Sequence, residues 1–294
     1  NKLINSFLFS FIQTFKVYDP FSSVVVSGSS RTALGILGFH CGIKQVITTD
    51  LSWTYEHCFP NVITIPLTDD YEIDIEAIKY EIEKNYSSEW RKHSAVVINN
   101  PNNATGRIFN EEKIKELVKW CINQKIFLID DLSYQYVTPD VTIKEIKTLA
   151  QIANELISEG YITKDDKKYI ITVHSFSKTD ALAGARLSVA EICDKELLCK
   201  FKKVNEEIKP NIAAILLTYL FYRNDYNDIV NYWHLRNFIF SERMESLLKA
   251  KEDLPQERNP FNIEIIPAKG SMYPLLKIGN LPSGLSLDWI SSGL

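Results

Sequence analysis

Short apolar runs, nearly continuous in Val and Ile, alternate along this chain with longer segments in which apolar residues recur at helical spacing. The runs are Ser22–Ser27, Gln45–Thr48, Asn61–Pro66, Ser94–Asn99, Lys125–Asp130, Lys168–His174 and Arg186–Ile192. Unbroken hydrophobicity, rather than a polar residue at every second position, is what a strand covered on both faces requires. The helical segments between them are Thr32–Cys41, Ile73–Tyr86, Glu111–Asn123, with Asn110 as its N-cap, and Ile143–Ser158. This order predicts an α/β fold in which a mostly parallel sheet is sandwiched by helices.

The pattern changes after about residue 194. Helical segments follow at Lys195–Ile208, Ile212–Tyr222 and Tyr226–Lys251, then strands at Asn262–Pro267 and Ser271–Ile278 and the start of a helix at Ser286. We therefore expect a large domain over residues 1–225 and a smaller, incomplete α+β domain over 226–294. The chain opens on Asn1 and closes on Leu294 within a helical pattern, so it reads as a piece of a longer protein. Its first apolar stretch, Ser6–Ile12, is too short for a signal peptide and lacks the small-residue cleavage site.

Lys and Arg number 33 against 37 Asp and Glu, a net charge of −4 with no basic run, which argues against a nucleic-acid partner. The longest apolar runs, such as Asn211–Tyr222, fall well short of the roughly 18 residues that span a bilayer. An odd five cysteines fit a reducing cytoplasm better than a disulfide framework.

Ligands of open α/β sheets bind beyond the carboxyl ends of the strands, so the residues just after each strand are the candidates for chemistry. Gly28-Ser29-Ser30-Arg31-Thr32 leads from the first strand into a helix, where free backbone N–H groups suit an anion; an ordinary turn has the same composition. Asn100-Pro101-Asn102-Asn103-Ala104-Thr105-Gly106 makes a tight turn, yet its amides together with Asn99 exceed what a turn needs. Asp130 and Asp131 end another strand, where carboxylates are costly to bury without a cation or donor. Ser175-Phe176-Ser177-Lys178, with Arg186 beyond, ends a fourth. A lysine there is an ordinary surface residue or, when desolvated, a Schiff-base former. An acid, a lysine, an amide, an arginine and a phosphate cradle together suit a ligand with a cationic ring and a phosphate, which describes pyridoxal phosphate (PLP).

In order and spacing, Asn100–Gly106, Asp131-Leu132-Ser133-Tyr134 and Ser175–Lys178 followed by Arg186 resemble the class I/II aminotransferases of fold type I, over nearly the whole chain. The resemblance implies a PLP-dependent enzyme that moves an amino group between an amino acid and a 2-oxo acid, with Lys178 holding the cofactor as a Schiff base. It implies that Asp131 pairs with the pyridine nitrogen and that Asn103 and Tyr134 hydrogen-bond the ring's phenolic oxygen. Ser29, Ser30 and Arg31 match the family's phosphate cup, and Ser175 and Arg186 its further phosphate ligands. Trp53 matches the aromatic that stacks on the ring, ahead of Tyr55. Lys178, Asp131 and Tyr134 are the implied catalytic residues of a cytoplasmic homodimer. These roles are physically coherent: a carboxylate favours the protonated ring that serves as electron sink, a freed lysine amine shuttles protons, and a guanidinium fork matches phosphate.

The chain departs from the family pattern in places. Ala104 stands where proline is usual, and Ser188 where a glycine follows the phosphate arginine. The arginine that binds the substrate carboxylate, and the N-terminal segment that closes over the substrate, are expected beyond the ends of this chain. His40-Cys41 and His57-Cys58 lack zinc-site spacing, so no metal is expected. Two alternatives stand beside the transaminase: another PLP enzyme (decarboxylase, lyase or synthase) and a non-catalytic PLP-binding regulatory domain.

Overall fold

The computed structural model describes residues 2–279 other than Tyr86, residues 143–145, Pro210, Gln256, Arg258 and Pro260. The helix expected from Ser286 lies outside these residues. A sheet occupies the centre, built from β1 (Ser23–Ser27), β2 (Gln45–Thr49), β3 (Asn61–Ile65), β4 (Ser94–Ile98), β5 (Phe127–Leu132), β6 (Ile170–Ser175) and β7 (Leu187–Ile192) in the spatial order β1-β7-β6-β5-β4-β2-β3. Pairing is parallel from β3 through β2, β4 and β5 to β6. Strand β7 is antiparallel to both β6 and β1. Its direction follows from chain length, because the link over 176–186 is too short for the crossover of a dozen or more residues that a parallel return requires. As a result β7 starts where β1 and β6 end.

The helices are α1 (Lys2–Thr14), α2 (Ser30–Gly35), α3 (Ile75–Glu83), α4 (Ser88–Lys92), α5 (Glu111–Asn123), α6 (Leu149–Ser158), α7 (Phe176–Thr179), α8 (Lys195–Asn205), α9 (Ile212–Tyr222) and α10 (Tyr226–Glu252). Strand residues alternate between two cores, as the period of two demands. Val96, Ile98 and Leu128 pack with α3, α5 and α6, whereas Ala95, Val97 and Ile129 pack with α2 and α8. Burial on both faces is why central β4 is apolar from Ala95 to Ile98, whereas edge strand β3 leaves Asn61 and Thr64 exposed.

Caps decide where the helices begin. Asn110 accepts from the Lys113 N–H at 3.1 Å, so α5 has the predicted bounds. Helix α3 starts at Ile75 rather than Ile73 because Asp74 accepts from the Ala77 N–H at 2.9 Å. Thr148 and Gln151 form a reciprocal capping box that starts α6 at Leu149, later than its apolar spacing predicts. Helix α2 begins earlier than predicted, at Ser30, and runs on as a π-helical turn over Ile36–His40. The apolar N-terminal stretch lies within α1, whose Phe7 and Phe11 reach a third, aromatic cluster with Phe176, Tyr222 and Trp233. Among the described residues no helix is long and apolar enough to cross a membrane.

Beyond α10, β8 (Ile263–Ile266) and β9 (Leu275–Ile278) pair antiparallel. Strand β9 is shorter than the predicted Ser271–Ile278 because Ser271 is left-handed (φ 63°) and its N–H is taken by the Val137 carbonyl at 2.9 Å. The connection between them docks on the large sheet. The N–H groups of Lys269 and Gly270 both donate to the Gly106 carbonyl. A Cβ on Gly270 would stand 2.3 Å from the Pro101 Cβ, so only glycine admits this approach.

Asp130, which lies on the same strand, does not share the face of Asp131. Successive strand residues face opposite ways. Asp130 faces α6, where it accepts from the Leu149 N–H at 2.7 Å. Burial pushes its carboxyl up to about 8. The native state therefore holds a proton that the unfolded chain releases near pH 4, and this contribution to stability is lost as pH rises from about 4 to 8. Asp130→Asn fixes the uncharged form, so urea midpoints measured across that range should flatten relative to the parent; an unchanged slope would refute the assignment. Phe11→Ala empties the aromatic cluster beneath α7 and should lower unfolding free energy by about 3–5 kcal/mol in denaturant melts.

Candidate active site

At the carboxyl ends of β1, β4, β5 and β6 the chain forms a cleft of about 240 Å³. Every residue singled out from the sequence for this site lines it: Ser29, Ser30, Arg31, Trp53, Asn103, Asp131, Tyr134, Ser175, Lys178 and Arg186.

One end of the cleft is a hydroxyl-rich, cationic cradle. Gly28 and Ser29 both take positive φ (105° and 83°) to turn β1 into α2. Arg186, itself left-handed at φ 51°, holds that turn twice. Its carbonyl accepts from the Gly28 N–H at 2.7 Å, and its guanidinium Nη2 donates to the Ser29 hydroxyl at 2.7 Å. The antiparallel β7 is what delivers Arg186 here. Arg31 lies over the Trp53 ring at 5.8 Å. An isolated backbone bridge between Ser52 and Ala104 joins the segment that bears Trp53 to the one that bears Asn103.

The middle of the cleft is acidic. Asp131 is only 3% exposed, and its hydrogen-bond donors are neutral. Burial pushes its carboxyl up, while hydrogen bonds from Ser133 and Tyr55 pull it back. The Tyr55 hydroxyl donates to Oδ2 at 2.9 Å, and the Ser133 hydroxyl and N–H donate to Oδ1 at 2.6 and 3.2 Å. Tyr55 is thus a buried support for the acid rather than a stacking ring.

Of the amides after β4, most serve the turn itself. Asn99 donates to the Asp131 carbonyl at 2.8 Å and accepts from the Asn103 N–H at 2.8 Å. Asn100 accepts from the Phe109 N–H, and Asn102 from the Thr105 N–H and hydroxyl. The Asn103 side chain is left to the cleft. Tyr134 lies beside it, its phenol pushed up by burial first and then by Tyr273 and Asp131. Lys178 is half-buried in the last turn of α7, which Ser175 caps by accepting from the Ser177 N–H at 3.3 Å.

Ser133, Ser177 and Tyr273 belong to this neighbourhood without a role having been expected of them, and Tyr55 takes a role other than stacking. Ser133 carried a local signal, since a hydroxyl two residues after an aspartate commonly bonds back to it. Tyr273 carried none; its ring meets that of Tyr134 edge-on at 6.3 Å only because the β8–β9 connection docks on Gly106 and Val137.

The donor set fits PLP. A buried carboxylate held by neutral donors suits a protonated ring nitrogen, the cradle of hydroxyls and guanidinium suits a phosphate, and a lysine stands at the same cleft. Among the described residues no group of His, Cys, Asp and Glu could hold a metal ion.

A family model described as aminotransferase class I and II matches residues 7–279. The chain is 25% identical over 208 residues to a probable aspartate/prephenate aminotransferase of Aquifex aeolicus, covering 67% of this chain and 47% of that protein. It therefore spans about half the length of that relative. Among solved structures it is similar to a variant of Thermus thermophilus aspartate aminotransferase, with a TM-score of 0.72 and 16% identity over 91% of this chain and 69% of that one. It is also similar to a PLP-bound C–S lyase from Staphylococcus hominis, with a TM-score of 0.70 and 17% identity over 90% of this chain and 64% of that one. These structural likenesses carry the fold, which is fold type I. Matched by the family model along nearly its whole length and built on that fold, the chain belongs to the class I and II aminotransferases.

Proposed function

We propose that this chain forms the PLP-binding part of an aminotransferase that moves an amino group between an amino acid and a 2-oxo acid. The convergence of a buried acid, a lysine and an anion cradle on one cleft carries this reading, because separate strand ends supply each of them. When bound, PLP supplies an electron sink for the carbanion formed at the substrate α-carbon.

The residues of the chain divide the remaining work. Ser29, Ser30, Arg31, Ser175 and Arg186 bind the phosphate. Asp131, held by Tyr55 and Ser133, keeps a proton on the ring nitrogen. Asn103 and Tyr134 would bond the phenolic oxygen, and Trp53 would stack on the ring. Lys178 would hold the cofactor, and its amine would be the group that moves the proton at the substrate α-carbon. We further propose a cytoplasmic homodimer, with a large domain over 1–225 and a smaller one over 226–294.

Purified protein incubated with PLP should develop an absorbance band distinct from free PLP, and Lys178→Ala should abolish it. A band that persists in the variant removes Lys178 from this role. Conversion of the band by amino donors then separates transamination from the lyase and regulator alternatives; no conversion by any proteinogenic amino acid tells against the transaminase. Asp131→Asn leaves the shape of the site and removes the charge. It should lower turnover by at least about a hundredfold, since each pKa unit lost by the ring nitrogen is worth about 1.4 kcal/mol. Steady-state kinetics with an established donor checks this.

A further inference from the structure

A buried acid lies two residues beyond Lys178. One oxygen of Asp180 accepts from the Tyr222 hydroxyl at 2.7 Å, and the other from the Trp233 indole N–H at 2.9 Å. Burial pushes its carboxyl up to about 6, against the pull of those two bonds and of Arg236. These groups all come from α9 and α10 rather than from the sheet that carries the site.

Trp233 has a second contact. Its ring lies flat on that of Tyr136, with centroids 4.4 Å apart and planes 6° from parallel. Tyr136 is two residues beyond Tyr134. One helical turn along the same face of α10, Arg236 donates to the carbonyls of Thr179 and Tyr136, and Asn237 donates to the Tyr136 carbonyl at 3.0 Å. This face therefore grips the turn that bears Lys178 and the turn that bears Tyr134 together. The grip matters because α7 spans only Phe176–Thr179, and so short a helix has little stability of its own.

We propose that Trp233 is a positioning residue for Lys178. By stacking on Tyr136 while donating to Asp180, it sets the separation of the lysine from the Tyr134 hydroxyl. The proposal rests on the PLP roles assigned above to Lys178 and Tyr134. Covalent capture of PLP needs the Lys178 amine nitrogen to bond the aldehyde carbon, whose oxygen leaves as water with both amine protons. A misplaced amine slows that step without weakening the phosphate cradle.

Trp233→Phe keeps a stacking ring and removes only the indole N–H; Asp180→Asn changes the acceptor. Capture can be followed by quenching with borohydride, which reduces the new carbon–nitrogen bond, and counting the adduct on Lys178 by mass spectrometry. PLP binding is measured separately by equilibrium dialysis in a Lys178→Ala background. Amide hydrogen exchange without PLP is read in peptides covering 133–138 and 176–182. The expected result for Trp233→Phe is capture about tenfold slower, dissociation constant changed by less than about twofold, and faster exchange in both peptides. The Trp233→Phe, Asp180→Asn double variant should slow capture by less than the product of the two single effects, because both weaken the indole–carboxylate bond. Unchanged capture, or a dissociation constant that worsens as much as capture slows, overturns the proposal. If the parent protein takes up no PLP on Lys178, the cofactor assignment falls, and exchange that is unchanged in either peptide still refutes the tie between the two turns.

Discussion

Apolar side chains cover both faces of the central sheet, so polar groups can gather only where the strands end. That constraint shapes everything functional in this protein. The interior of β4 runs from Ser94 to Ile98 without an exposed residue, and β6 from Ile170 to Ser175 likewise. The amides and the lysine begin just past those ends, where backbone groups also lose their strand partners, and the carboxylates stand near the end of β5. The antiparallel β7 adds a further supplier at the same edge. Because it starts where its neighbours finish, it brings Arg186 onto the Gly28–Ser29 turn without a long connection.

Desolvation is what makes the cleft chemically particular. The neighbouring aspartates on β5 illustrate this, since burial raises both carboxyls while their partners differ. Asp130 meets one backbone N–H at the start of α6 and works as a helix partner. Asp131 meets two hydroxyls and a backbone N–H, all neutral donors, on the face that opens to the cleft. Such a carboxylate suits a cationic ring nitrogen, and the proposed function rests on that fit. A single residue step along a strand reverses its face and so separates the two roles.

Much of this was legible in the chain beforehand. The strand–helix alternation led to the fold class, and the polar clusters after each strand led to the residues that line the cleft. Where expectation and structure differ, the cause is a tertiary contact or a short-range cap. Apolar spacing alone overran the start of α6, because the Thr148–Gln151 box competes with continuation of the helix. The amides after β4 looked surplus to a turn, yet Asn99, Asn100 and Asn102 are consumed by backbone groups and Asn103 alone is left over. Tyr55 was legible as an aromatic near the site but not as the partner of Asp131, since that contact joins residues far apart in sequence.

The sequence by itself determined which residues could do chemistry and the type of sheet that would carry them, because local periodicity and turn composition are written within a few neighbouring residues. Only the tertiary structure decided which of those residues act together. The facing of Asp131 against Asp130, the return of Arg186 to Ser29, the docking of the β8–β9 connection beside Tyr134, and the hold of α10 on the turn after Lys178 all pair distant segments. Such pairings depend on how the whole chain buries its apolar faces, and no local window of sequence contains that information.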